Sequence, residues 1–282
     1  MIAMLKDKNF QYLHILRTIN IFFGLLSTLL NSVWFALKVR NVKNTSDKLI
    51  AGTSLNSLSH MISYSIKMSS NCDQYYTNAF NCIVHYPHIT LFSFAEPLMH
   101  LSILMLAFVD LVNVLFYHSY RKVVHKLNAS WIITVILMIA LSNAAVLWLL
   151  SFRRKNILVS LCCYYEDVLG EPMAPYYYGL VATSGYLSAF VCLLTICYFK
   201  YDKRKCQDEI FQYQAMRKQA ILKQTAIFVA IGVVLQSIPI TLMVQMMINN
   251  GNQMICHHLW TVSVVGYFVV GAYNLITKNI NQ

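Results

Sequence analysis

The stretch QTAIFVAIGVVLQSIPITLMVQMMINNGNQMICHHLWTVSVVGYFVVGAYNLIT, from Gln224 to Thr277, contains no Asp, Glu, Lys or Arg. A helix needs about 20 mostly apolar residues to cross the hydrocarbon of a bilayer, so this run has room for two. The polar break Asn249-Asn250-Gly251-Asn252 divides it. Further toward the N-terminus, Pro172 to Phe199, Leu127 to Phe152 and Thr18 to Leu37 are also free of charge. So is Leu49 to Ile66, although Asn56, Ser57, Ser59 and His60 make it polar. Ile89 to Phe116 is apolar apart from Glu96 and Asp110. The reading is seven spans, near 18–39, 48–68, 88–116, 129–151, 176–199, 224–248 and 257–277, forming one domain over 1–282.

The composition agrees with that reading. Of 282 residues, 57% are hydrophobic and 12% charged, and the mean hydropathy is +0.52. Soluble domains carry about 25% charged residues, and disorder requires low hydrophobicity. Hydrocarbon obliges each segment to satisfy its own backbone donors and acceptors, and these windows are too long and too continuously apolar for barrel strands. The predicted class is therefore an all-α membrane protein, a seven-transmembrane helix bundle. No internal repeat is visible, which weighs against an inverted-repeat transporter.

Basic residues orient the bundle, because cytoplasmic loops carry excess Lys and Arg. Fifteen of the 22 fall on one side: Lys38, Arg40, Lys43, Lys48, Arg121, Lys122, Lys126, Lys200, Lys203, Arg204, Lys205, Arg217, Lys218, Lys223 and Lys278. This predicts the N-terminus outside and the C-terminus cytoplasmic. The run Arg153-Arg154-Lys155 violates the rule, and Glu166, Asp167 and Glu171 in the same loop offset it. The sequons Asn44-Thr45-Ser46 and Asn128-Ala129-Ser130 fall in predicted cytoplasmic loops and should be bare. No cleavable signal peptide is expected, since the first 17 residues are mixed in character and charged. The net charge of +11 then describes cytoplasmic anchoring, and no nucleic-acid partner is required.

Cys72, Cys82, Cys162, Cys163 and Cys256 fall outside on this topology, where disulfides persist. Cys82 precedes the third span and Cys162-Cys163 lie in the next outer loop, so a bridge from Cys82 to either would tie that loop over the bundle. Spacing leaves the choice open. No Cys or His pattern matches a zinc site. Nucleophile elbow, Walker loop, HExxH and dinucleotide motifs are all missing from the sequence, so neither catalysis nor a cofactor is expected.

Several segments resemble the nematode serpentine chemoreceptors, a family of G-protein-coupled receptors. Phe22-Phe23-Gly24-Leu25-Leu26 with Leu29-Leu30-Asn31 is similar to their phenylalanine-rich first helix. Asp110 followed by Phe116-Tyr117-His118-Ser119-Tyr120-Arg121-Lys122 resembles the cytoplasmic end of a receptor third helix. Lys218-Gln219 through Gln224, then Gln236-Ser237-Ile238-Pro239, resembles the sixth. Leu111 and Val112 stand where receptors usually carry arginine and then tyrosine, and Tyr273-Asn274-Leu275-Ile276-Thr277 lacks the usual seventh-helix proline. The resemblance implies a chemosensory receptor of the plasma membrane or sensory cilium, binding a small external chemical and signalling to a heterotrimeric G protein. A small transporter or channel subunit, or a receptor that folds without signalling, are the alternatives.

Ionisable side chains within spans are costly and mark functional sites by default. Glu96 and His100 are four apart and share a helical face, with Glu96 roughly 21 Å by helical rise from Asp110; they are the predicted ligand-binding pair. Tyr176 and Tyr177, within Pro175-Tyr176-Tyr177-Tyr178 at the mouth of the fifth span, are the predicted aromatic contacts. Asp110 is the predicted switch at the cytoplasmic mouth, with Arg121 or a basic residue of the fifth loop as its partner. Pro239 should break the sixth helix's hydrogen-bond ladder and let its cytoplasmic half move. Asn31, Asn56 and Asn274 read as interhelical glue. The basic segment from Lys200 to Lys223 suits an anionic leaflet or a partner protein.

Overall fold

The computed structural model describes residues 15–16, 18–30, 32–33, 75–115, 129–161, 163–171, 173–203, 209–249, 258–266, 268–269 and 272–273. Four helices are long and apolar enough to cross a membrane: Pro87–Leu115, Trp131–Arg153, Met173–Tyr201 and Leu222–Ile248. A shorter apolar helix, α1, runs Thr18–Leu30. In chain order there follow β1 (Tyr76–Asn78), α2 (Ala79–His85), α3 (Pro87–Leu115), α4 (Ala129–Arg153), β2 (Leu158–Ser160), α5 (Tyr165–Leu169), α6 (Met173–Lys203) and α7 (Glu209–Gly232). A π turn (Val233–Ser237) leads directly into α8 (Ile238–Ile248), and α9 covers 258–266. The second predicted span, near 48–68, lies outside the described residues, as do Asn31, Asn56, Asn274, Arg121, Cys162 and the asparagines of both sequons, Asn44 and Asn128.

The third helix is central. It packs chiefly on α6 and α4, and it buries His88, Glu96, His100 and Asp110 along its length. By contrast, α4 and α6 turn large apolar side chains outward, among them Trp131, Met138, Leu141, Phe190 and Leu193. Outward apolar surface of that extent has no water to meet if hydrocarbon surrounds the helices. The chain is thus a helical membrane protein, and among the described residues its buried Glu, Asp and His side chains lie on the internal helix α3.

Asn20 of α1 is buried and donates through Nδ2 to the Thr261 hydroxyl of α9 at 3.0 Å. Phe23 packs edge-on against Phe268, with centroids 5.4 Å apart. Asn20 is thus an amide that ties these two helices together.

One end of the bundle carries a cap that the apolar pattern did not predict. β1 and β2 pair antiparallel, Tyr76 opposite Ser160. Asn78 caps α2 by accepting the Asn81 N–H at 2.7 Å, and α5 lies across the helix ends. Cys82 is joined to Cys163, 81 residues away. The structure thus selects Cys163 over Cys162 as the partner of Cys82. Arg154 supplies a further tie, its Nη1 donating to the Asp167 and Val168 carbonyls at 3.1 and 3.0 Å. These are last-turn carbonyls of α5, which have no donor within the helix. The arginine that offends the charge rule is therefore engaged in holding the cap. Gly170 ends α5 at φ 70°, and a Cβ there would strike the Arg154 guanidinium.

Candidate functional site

Directly below the cap, α3 contains Pro97. Proline has no N–H for the carbonyl four residues back, so the Ser93 carbonyl loses its helical donor. Asn143 of α4 takes that place, donating Nδ2 to Ser93 O at 2.6 Å and to its Oγ at 3.0 Å. The amide both repairs the ladder and fixes α4 against α3 beside Glu96. Replacing Asn143 with Ala should leave a buried carbonyl orphaned, at a cost of about 1–3 kcal/mol. A denaturation midpoint in detergent unchanged from wild type would refute this account of the Pro97 gap.

Glu96 is fully buried. Its Oε2 accepts the Tyr177 hydroxyl at 3.4 Å, long beside the 2.7–2.8 Å usual for O–H···O bonds. Its Oε1 has no hydrogen-bond partner among the described residues. Above it stands a continuous group of rings. Phe92 and Tyr165 have centroids 4.8 Å apart, Tyr165 and Tyr177 5.3 Å, Tyr177 and Tyr178 5.4 Å, Tyr178 and Trp260 5.6 Å. Glu166, from the cap, accepts the Tyr178 hydroxyl at 3.3 Å and the Trp260 Nε1–H at 3.2 Å on one oxygen. Burial pushes the Tyr165 phenol above its ordinary range, and the nearby Glu96 charge acts in the same direction, while Ser93, Tyr177 and Asn143 offer it hydrogen bonds. Two carboxyl groups and five rings are therefore packed into one cluster between α3, α6, α9 and the cap.

One turn below Glu96, His100 is buried with its Nε2 unpartnered among the described residues. It lines a small cavity with Gly185, Ser188, Gly232, Gln236 and Ser237, of about 10 Å³, roughly one water's worth of space. Gln236 Oε1 and Ser237 Oγ are also buried and unpartnered among the described residues. The cavity sits where the π turn widens the helix, with the Ile238 N–H bonded to Val233 O. Gly185 lets α6 approach this turn, since a Cβ there would meet the Ser237 side chain. Pro239 has no N–H for the Leu235 carbonyl, which lies in the π turn over Val233–Ser237, and the regular turns of α8 follow it.

The remaining predicted residues are distributed differently. Tyr176 is 66% exposed, on the outward face of α6, and is separate from the ring cluster that Tyr177 and Tyr178 join. Successive residues on a helix differ in direction by about 100°, so three tyrosines in a row cannot all face inward. Asp110 is buried, at 7% exposure, and does not form a solvated helix mouth. Thr225 of α7 hydrogen-bonds its carboxyl, and its other oxygen is unpartnered among the described residues. The sequence reading missed Asn143, Tyr165 and the ring contacts of Glu166. Asn143 had a legible signal: a lone amide in an apolar span, where α3 has a proline gap to fill.

No protein-family model matches the chain, and none of the curated proteins is significantly similar to it, so the geometry carries the functional reading.

Proposed function

We propose that this chain is a seven-helix chemosensory receptor of the plasma membrane, with the capped end outside. A small external chemical would bind at the ring cluster around Glu96, and the response would pass to a heterotrimeric G protein at the basic loops. The observation that carries the reading is the buried, half-partnered Glu96 carboxylate beneath a disulfide-tied cap. A disulfide suits an oxidising compartment, which supports the outward orientation of that end. Among the described residues, the buried ionisable side chains within the spans, His88, Glu96, His100 and Asp110, all belong to α3. A transporter or channel would be expected to place such groups on several spans around one pathway.

Signalling then requires a ligand that binds the active arrangement more tightly than the inactive one, because equal affinity shifts nothing. The π turn gives the α7–α8 rod an adjustable point. Its cavity adjoins His100, one turn from Glu96. Farther along α3, the Asp110–Thr225 bond joins α3 to α7 and is suited to hold the inactive state. Asp110→Asn should raise ligand-independent G-protein activation several-fold at equal surface level. Basal activity at or below wild type would remove Asp110 from the switch. The reading as a whole is tested by G-protein activation in cells across a panel of small volatile and soluble chemicals. Normal surface expression with silence across the panel and in the Asp110 variant would favour a receptor that no longer signals.

A further inference from the structure

The cavity at the π turn is lined by His100 of α3 and by Gln236 and Ser237 of the turn itself. Each contributes a buried polar atom that no described residue satisfies: His100 Nε2, Gln236 Oε1 and Ser237 Oγ. Ser188, the other hydroxyl on the wall, already donates to the Ser184 carbonyl at 2.8 Å. Buried polar atoms are expensive to leave unmatched, so three of them around one space call for a guest that forms hydrogen bonds. The space measures about 10 Å³, far too small for an organic molecule. A single water needs about 10–15 Å³ and two to four polar partners, which is what this site offers. A cation would lack a counter-charge, because no carboxylate is among the lining residues and no group of three or more metal-ligating side chains is found among the described residues.

We infer that this cavity binds one internal water, which bridges His100 Nε2, Gln236 Oε1 and Ser237 Oγ and so ties the π turn to α3. The three atoms suit it chemically. The amide oxygen only accepts, the hydroxyl donates or accepts, and a neutral imidazole nitrogen does either according to its tautomer, while water does both. A π turn and a water set against the helix ladder are each recognised causes of a bend. Here they coincide, at the turn where the Ile238 N–H reaches back to Val233 O, and together they form one joint between α3 and the α7–α8 rod. The inference goes beyond the receptor reading and does not rest on it.

The test uses variants of the purified full chain in detergent, with thermal unfolding as the readout, so that it does not depend on signalling. Gly232 lines the cavity with ordinary helical angles, φ −59° and ψ −43°, and a Cβ there would meet Gln236 Oε1 at 3.9 Å. Helix propensity alone makes Gly→Ala stabilising. Gly179→Ala, with open space around its Cβ, should therefore raise the midpoint. Gly232→Ala places a methyl where the water sits, strands its three partners, and should instead lower the midpoint by at least about 3 °C. Ser237→Ala supplies an independent sign and keeps the test decisive if Gly232→Ala yields no folded protein. Removing an unmatched buried hydroxyl stabilises, whereas removing one bonded to water leaves that bond unmade, so the midpoint should fall. A high-resolution structure of the wild-type chain should show ordered density within about 2.7–3.2 Å of all three atoms. A rise in Gly232→Ala matching that in Gly179→Ala would overturn the water site, as would a rise in Ser237→Ala or the lack of density between the three atoms. Each of those results leaves the receptor reading untouched.

Discussion

Cys82→Ser should lower the unfolding free energy by about 2–4 kcal/mol and reduce the yield of folded protein. The bond spans 81 residues, and in the chain-entropy account a long loop closed in the unfolded state raises stability most. In a bilayer the effect is moderated, because the helices on either side stay threaded when tertiary contacts are lost. What the bond fixes is the cap: α2 on one side, the turn leading into α5 on the other, and Tyr165 and Glu166 carried on α5. Cys82→Ser and Cys163→Ser should therefore be equivalent, and each should also weaken any ligand affinity. Cys162→Ser, and substitution of the exposed free Cys197, should leave the unfolding midpoint in place. The measurement is thermal unfolding of purified protein with and without reductant. A Cys162 variant as unstable as Cys82→Ser would reassign the bond.

Glu166→Ala is the second large effect. Removing this carboxylate strands the Tyr178 hydroxyl and the Trp260 indole N–H, both of which it accepts on Oε1. Tyr178 is fully buried, so each stranded donor costs about 1–3 kcal/mol, and the pair together on the order of 2–5 kcal/mol. Glu166→Gln keeps an acceptor oxygen at the same reach and should recover most of the loss. If Ala and Gln were equally damaging, the charge and not the hydrogen bonding would be what matters. If neither destabilised the protein, α5 would not be anchored through this residue. Because Trp260 lies on α9 and Tyr178 on α6, the same variant should also loosen these helices relative to each other. Hydrogen exchange at the capped end, faster in Glu166→Ala and normal in Glu166→Gln, would register this.

Much of the architecture was legible because the bilayer makes a simple demand. Long apolar windows near 88–116, 129–151, 176–199 and 224–248 correspond to the four long apolar helices, and Glu96 and His100 were legible as costly groups within one of them. The cap was not legible. Its strands are three residues long, too short for any periodicity, and the five-residue α5 is held by Arg154, Cys163 and Glu166 more than by its own propensity. Asn20 is one amide among several in apolar runs, and only the position of Thr261 shows what it bonds. Tyr176, Tyr177 and Tyr178 are equally indistinguishable until the rotation of α6 is known.

Sequence by itself determined that this protein is helical and belongs in a membrane, because hydrophobic length and the need to satisfy every backbone group are properties of single segments. It also determined which few ionisable residues would lie within those segments. Only the tertiary structure decided which cysteine pairs with Cys82, that Asn143 fills the gap left by Pro97, that the irregular turn precedes Pro239, and that Glu96 lies beneath a ring cluster while Tyr176 faces away. Those are matters of mutual rotation and of which donor reaches which acceptor. They depend on the packing of residues far apart in the chain, where a shift of one residue along a helix turns a side chain by about 100°.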